Sequence, residues 1–377
     1  MSEFSVFSRE QAGACTHALV IGVGYYPHLV GGDEEKFADC EGMGQLSSPP
    51  YSARMIAEWL ISRFSNPDKP LSTVSLLVSE REQQPFMVQP ALAGPVLPKI
   101  ATMENVEQAV KAWKDKGDEN ENNLLLFFFC GHGFERGTDV ILLPQDFGKD
   151  QDDPLDMALN LNNLHSGMGK CKASQQCYFI DSCRSVSSTL LLKYSGEGRQ
   201  IIAGSAKAPG KGPIFCSTLA GEAAFGRAGR ETVFTEILLK SLNGCGSDNN
   251  NDDETWRVDT INLHEAICTL LREHPDARQA PEGNRLPLFY LHYLDGAPKI
   301  PVTVTCRPEE KTDMAFFSCS DDGVILARRD PSPGNWLTDI LVGQYRFSAE
   351  FADQTPFNKD KVLIRPPSRK VILEDQQ

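Results

Sequence analysis

No stretch of this chain is long and apolar enough to cross a bilayer. The first fourteen residues, MSEFSVFSREQAGA, hold no apolar run of signal-peptide length. These absences predict a cytoplasmic protein. Basic charge is scarce as well: 37 Lys and Arg stand against 51 Asp and Glu, a net charge of −14. Phosphate backbones and anionic lipid surfaces are bound by clustered cations, so neither nucleic acid nor membrane is the expected partner. The eleven cysteines include no C-x-x-C pair. A disulfide framework does not suit 377 residues without an export signal, so most thiols are expected to be small buried apolar groups. Cys130 and Cys171 with His132 lack the ligand spacing of a zinc site. Gly22-Val23-Gly24 follows a strand-like run, but a third glycine and a P-loop lysine are missing, which argues against a nucleotide loop. No internal repeat is present.

What is present is an alternation of short apolar runs with amphipathic ones. Residues 17–23, 74–78, 124–130, 177–180, 200–203 and 286–292 read as strands, and 52–64, 103–116, 233–242 and 263–271 read as helices. Buried strands separated by helices predict a mostly parallel sheet between helices, with sites beyond the carboxyl ends of the strands. Residues 83–98 are Pro-rich, and 243–254 (NGCGSDNNNDDE) are polar and acidic; both read as loops. After Gly296 the period changes to two, with turn signals such as Asp321-Asp322-Gly323, which predicts a small β-sandwich. The expected organisation is an N-terminal tail (1–14), an α/β domain (15–297) and a β-sandwich (298–377).

Two stretches carry chemistry. In NLLLFFFCGHGFERG, a strand with large apolar residues throughout runs into Gly131-His132-Gly133. In QQCYFIDSCRS, a second buried run ends in Asp181-Ser182-Cys183-Arg184. Each has a bland reading: a turn with an incidental histidine, an inert buried thiol, an aspartate capping a helix. Together they have a sharper one. A thiol attacks carbonyls as thiolate, and an adjacent imidazole stabilises the thiolate and later protonates the leaving amine. A glycine turn lets backbone N–H groups approach an oxyanion closely.

With Cys183 following His132 by 51 residues, the pair resembles the caspase-like cysteine peptidases, whose histidine lies about 50 residues before the cysteine. Asp181-Ser182-Cys183 is similar to the D-x-C form of metacaspases. The resemblance runs from about Ala18 to Tyr293, and includes ALVIGVGYY, DVILLPQDF and FTEILLKSL. It implies a six-stranded caspase-like sheet and cleavage of peptide bonds. It implies His132 as general acid/base, Cys183 as nucleophile, and the N–H groups of Gly133 and Cys183 as oxyanion donors. It implies that Asp181 selects a substrate Arg or Lys, which a carboxylate can hold bidentately, and that Ser205, Ala206 and Lys207 line the groove. The expected partners are protein substrates with exposed Arg or Lys, and an activating protease or regulatory partner. Bacterial defence or regulated cell death is the family-level role.

The sequence departs from the metacaspase pattern in two places. Where a second pocket aspartate is expected, Tyr51-Ser52-Ala53 has serine, with Asp39 or Glu41 in the preceding insertion as the candidate substitute. Where paired aspartates bind calcium, Asn162 and Asn163 stand instead, so no cofactor is expected and calcium is disfavoured unless Asp150, Asp152 or Asp153 supply it. The linker 186–199 holds Lys193 and Arg199, both suited to an activating cut, although an ordinary connecting loop fits as well. The alternative to an enzyme is a silent caspase-fold adaptor, which would have no need of both His132 and Cys183.

Overall fold

A computed structural model describes residues 2–87, 94–182, 188–203, 210–217, 229–249, 254–274, 282–284, 287–352 and 355–375. The chain divides into two compact units, Met1–Leu239 with Leu271–Phe289, and Lys240–Leu270 with Tyr290–Gln377.

In the first unit the elements are β1 (Ser5–Ser8), β2 (Thr16–Val23), α1 (Ser48–Ser62), β3 (Leu71–Ser79), α2 (Met103–Glu119), β4 (Leu124–Gly131), β5 (Gly133–Arg136), β6 (Asp139–Leu142), β7 (Leu159–Asn160), α3 (Leu161–Met168), β8 (Gln175–Ser182), α4 (Ser188–Lys193), β9 (Ile214–Cys216) and α5 (Val233–Lys240). In the second come β10 (Ser247–Asp248), β11 (Arg257–Asp259) and most of α6 (Thr260–Glu273). β12 (Glu282–Asn284) returns to the first unit, and β13 (Tyr290–Tyr293) to β20 (Arg369–Glu374) complete the second.

The main sheet has the order β1-β3-β2-β4-β8-β9-β12. Its five inner strands are parallel, and β1 and β12 close the two edges antiparallel. Every residue of β2 and β4 is buried, because both faces are covered. On one face Gly22 lies so close to α1 that an added Cβ would meet Ala53 Cβ at 2.6 Å. On the other, Val106, Val110 and Trp113 of α2 pack with Leu19, Ile21, Phe127 and Phe129 in one cluster. The periodicity of α2 sets that face, and Thr102 caps the helix by accepting from Asn105 N–H at 3.3 Å.

Three local expectations are revised. Ser5–Ser8 is an edge strand rather than tail, anchored by the buried Phe4, so the sheet has seven strands. Residues 201 and 202 bend instead of extending. Ile201 is buried in the core, and β9 forms further on, where Tyr178 N–H bonds Pro213 C=O at 3.0 Å. The last strand, Tyr290–Tyr293, pairs with β11 in a small separate sheet. No helix among the described residues is long and apolar enough to cross a membrane.

In the second unit the period-two region is a sandwich, as its alternation predicts. A sheet β17 (Trp336–Leu341), β14 (Lys299–Arg307), β20 faces a sheet β16 (Val324–Arg329), β15 (Phe316–Asp321), β18 (Gly343–Glu350), β19 (Phe357–Ile364). Val302, Val304, Phe317, Trp336, Phe347 and Val371 fill the space between. This unit also gathers Lys240–Leu270, where Gly244 lies against Pro298.

Candidate active site

β4 and β8 are parallel neighbours in register, with Cys130 opposite Asp181 and Gly131 opposite Ser182. His132 therefore leaves the sheet beside the end of β8, and the residue bonded to Ser182 is Cys183, which lies outside the described residues. The strand pairing, set by two apolar runs, brings the two motifs together.

His132 is fixed at three points. Its backbone N–H donates to Tyr26 Oη at 2.8 Å, and its carbonyl accepts from Leu143 N–H at 3.0 Å. Its ring Nε2 lies 2.7 Å from the Gly44 carbonyl, which can only accept, so Nε2 carries the proton. In the neutral ring Nδ1 is then the basic nitrogen. Burial pushes the imidazole below its ordinary value of 6.5, and the Gly44 carbonyl offsets part of this. A neutral base with a defined tautomer is what activation of a thiol requires.

The flanking glycines have steric reasons. A Cβ on Gly131 would sit 2.8 Å from Tyr26 Oη, and one on Gly133 would sit 2.9 Å from Ser182 Oγ. The Leu143-to-His132 bond makes Gly133 and Leu142 a non-hydrogen-bonded pair, which turns Gly133 N–H away from β6.

Asp181 is 2% exposed. Its Oδ2 accepts from the hydroxyls of Thr232 and, at 3.0 Å, Thr235. Oδ1 is buried with no hydrogen-bond partner among the described residues. Burial pushes this carboxyl above its usual range, against the two threonines and weaker polar contacts from Cys130 and Ser217. Ser52 reaches the same group: Thr232 N–H donates to Ser52 Oγ at 3.1 Å. Positions 52 and 181 thus meet through Thr232, which also caps α5 by accepting from Thr235 N–H at 3.1 Å.

Asp39 binds Lys193 and accepts from Tyr194 Oη at 2.8 Å, and both partners hold its carboxyl below the usual range. Glu41 accepts from Thr189 N–H at 2.8 Å, and Phe37 packs on Tyr194. Arg199 pairs with Asp156 at 2.6 Å and Glu107 at 3.4 Å. Lys193 closes a short helix, so the linker is docked at both candidate cut points rather than extended and free. Asn162 is committed to backbone: its Oδ1 accepts from Val140 N–H at 3.2 Å and its amide donates to Thr138 C=O at 3.1 Å. Ser205, Ala206 and Lys207 lie outside the described residues.

The sequence reading missed Tyr26, Gly44, Thr232 and Thr235. Thr232 had a signal, since T-x-x-T-E opens an apolar helical run as a cap. Nothing in sequence spacing points from residue 26 or 44 to residue 132, 106 and 88 positions away.

An uncharacterized protein y4kE of Sinorhizobium fredii (strain NBRC 101917 / NGR234) is 27% identical over 330 residues, 83% of this chain and 92% of that protein. Among solved structures, caspase-1 from Spodoptera frugiperda aligns with a TM-score of 0.42 at 10% identity, over 77% of this chain and 98% of that one. A structure of pro-sf-caspase-1 aligns at 0.39 and 12% identity, over 73% and 93%. The model of the caspase domain matches residues 15–354. That span is most of the chain, and the chain belongs to the caspase-domain family of cysteine peptidases.

Proposed function

We propose that this protein is a cysteine endopeptidase that cuts after Arg or Lys, with Cys183 as nucleophile and His132 as its base. The observation that carries the reading is the three-point hold on His132, which leaves Nδ1 as the basic nitrogen at the end of β4, next to the end of β8. In the proposed reaction Nδ1 takes the thiol proton, and the thiolate adds to the scissile carbonyl. The N–H groups of Gly133 and Cys183 hold the oxyanion. His132 then gives its proton to the leaving amine, and water hydrolyses the thioester with His132 again as base. Asp181 supports the basic preference, because a buried carboxylate with one oxygen unpartnered among the described residues gains most from a cation. The experiment is kcat/KM on peptides with Arg, Lys, Leu and Asp before the cut bond. Cys183→Ala and His132→Ala should each abolish cleavage without lowering the melting temperature much.

A second reading of Asp181 has its own observation. Oδ2 is fully engaged by the threonines that open α5, so the residue also anchors that helix. The two roles use different oxygens and are separable by substitution. For control, we propose that the intact chain is latent and activated by a cut after Lys193 or Arg199. The ion pairs at both residues support this only if something first displaces the linker, since a protease groove takes extended chain.

A further inference from the structure

The hold on His132 has a part that the proposed reaction does not use. Residue 132 lies just past the end of β4, where the parallel ladders with β2 and β8 stop. A backbone N–H there has no strand partner and, buried, must find one. It finds the phenol of Tyr26, a fully buried residue just past the carboxyl end of β2. The phenol in turn donates to the Leu143 carbonyl at 3.2 Å, while Leu143 N–H donates back to the His132 carbonyl. The result is a closed ring of hydrogen bonds: His132 N–H to Tyr26 Oη, Tyr26 O–H to Leu143 C=O, Leu143 N–H to His132 C=O. The Tyr26 ring also packs against the imidazole, with centroids 4.9 Å apart.

Tyr26 is itself clamped to the other hold. Gln45 accepts from Tyr26 N–H at 2.8 Å and donates to Tyr26 C=O at 2.9 Å. Gln45 is the residue after Gly44, whose carbonyl holds Nε2. One side chain therefore joins the support of the His132 backbone to the support of its ring. Gly131 completes the arrangement, since any Cβ there would strike the Tyr26 hydroxyl.

We propose that Tyr26 is a positioning residue for His132, clamped by Gln45, and that its hydroxyl sets where both Nδ1 and the next peptide N–H, that of Gly133, point. This rests on the peptidase reading for its kinetics but not for its chemistry, because the Cys183–His132 pair can be probed without a peptide. Misplacing a base and an oxyanion donor weakens the transition state more than ground-state binding, so the loss belongs in kcat. A shift of about 1 Å costs roughly 100-fold in rate; loss of one hydroxyl, with the ring kept, should move the group by less.

The test is Tyr26→Phe in the full chain, read in two ways. First, kcat on an arginyl or lysyl peptide should fall about 10- to 100-fold with KM within about twofold. Second, the pH dependence of Cys183 alkylation by iodoacetamide, followed by site-resolved mass spectrometry, should shift towards that of an isolated thiol. A purely structural tyrosine would lower the melting temperature and move neither. If the wild type cleaves peptides and Tyr26→Phe keeps kcat within twofold, the proposal fails. If the wild type, cut after Lys193 or Arg199, still cleaves nothing, the peptidase reading fails alone, and the alkylation profile decides on Tyr26: shifted supports it, unshifted overturns it. Should Tyr26→Phe not fold, Gln45→Ala, which keeps the hydroxyl and loosens its clamp, must lower kcat or shift the profile in the same direction; no change in either overturns the proposal.

Discussion

Asp181→Asn separates what this carboxylate does for the fold from what it does for a substrate. The amide oxygen can accept from Thr232 and Thr235 as Oδ2 does, so the start of α5 keeps its anchor. The other position, now an acceptor without a partner among the described residues, becomes an N–H donor. Hydrogen bonds to charged groups contribute about 1.5–3 kcal/mol, and about 1.4 kcal/mol is tenfold. kcat/KM for Arg and Lys peptides should therefore fall about 10- to 100-fold, with little change for Leu. Stability should move the other way. The folded carboxyl is raised above its usual 3.8, so it favours folding below that pH and loses this as pH rises through the folded value. At neutral pH the buried charge is a penalty, and the Asn variant should melt higher than the wild type. The difference should shrink as the pH falls into the carboxylate range. The assay is a four-peptide kinetic panel with thermal melts at pH 4 and pH 7.5. A variant that keeps its basic preference within about threefold, or that melts lower at pH 7.5 than at pH 4 relative to wild type, would refute the reasoning.

The acid limb of kcat/KM should fall below pH 6.5, because burial holds His132 neutral below its ordinary value and protonation is what removes the base. A limb centred above 6.5 would contradict this; a pH series on one peptide measures it. Chelation with EGTA should change activity by less than about twofold, since neutral amides make a poor site for a hard cation; activity restored only by added calcium would point to Asp150, Asp152 or Asp153. N-terminal sequencing of active protein should find a new end at Tyr194 or Gln200, and Lys193→Ala with Arg199→Ala should stay latent; full activity from that uncut chain would place the restraint elsewhere.

The strands that carry the site were legible because their apolar runs are buried on both faces and run into polar or glycine-rich sequence; β4 and β8 are the clear cases. The neighbourhood of Gly131 and Ser182 at the ends of β4 and β8 followed from two motifs in series. What sequence could not reveal is how loops close over the sheet. Gly44 and Tyr26 reach His132 only because Gln45 folds residues 26–45 back on themselves. Asp39 was a candidate for the pocket, and its pairing with Lys193 is equally invisible in sequence spacing. The strand expected at 200–203 failed for a related reason, since a short apolar run reads alike whether it extends or merely buries one side chain.

The central claim is that Cys183 is an activated thiol, and labelling tests it most directly. Burial pushes Cys171, Cys306 and Cys319 up to about 11 and Cys245 to about 12, so these stay protonated and slow to react at neutral pH. Treating the chain, cut after Lys193 or Arg199, with a peptidyl arginyl chloromethyl ketone and mapping the adduct should give a single thioether at Cys183, lost in His132→Ala. An adduct at any other cysteine, or peptide cleavage surviving in Cys183→Ala, would contradict the account.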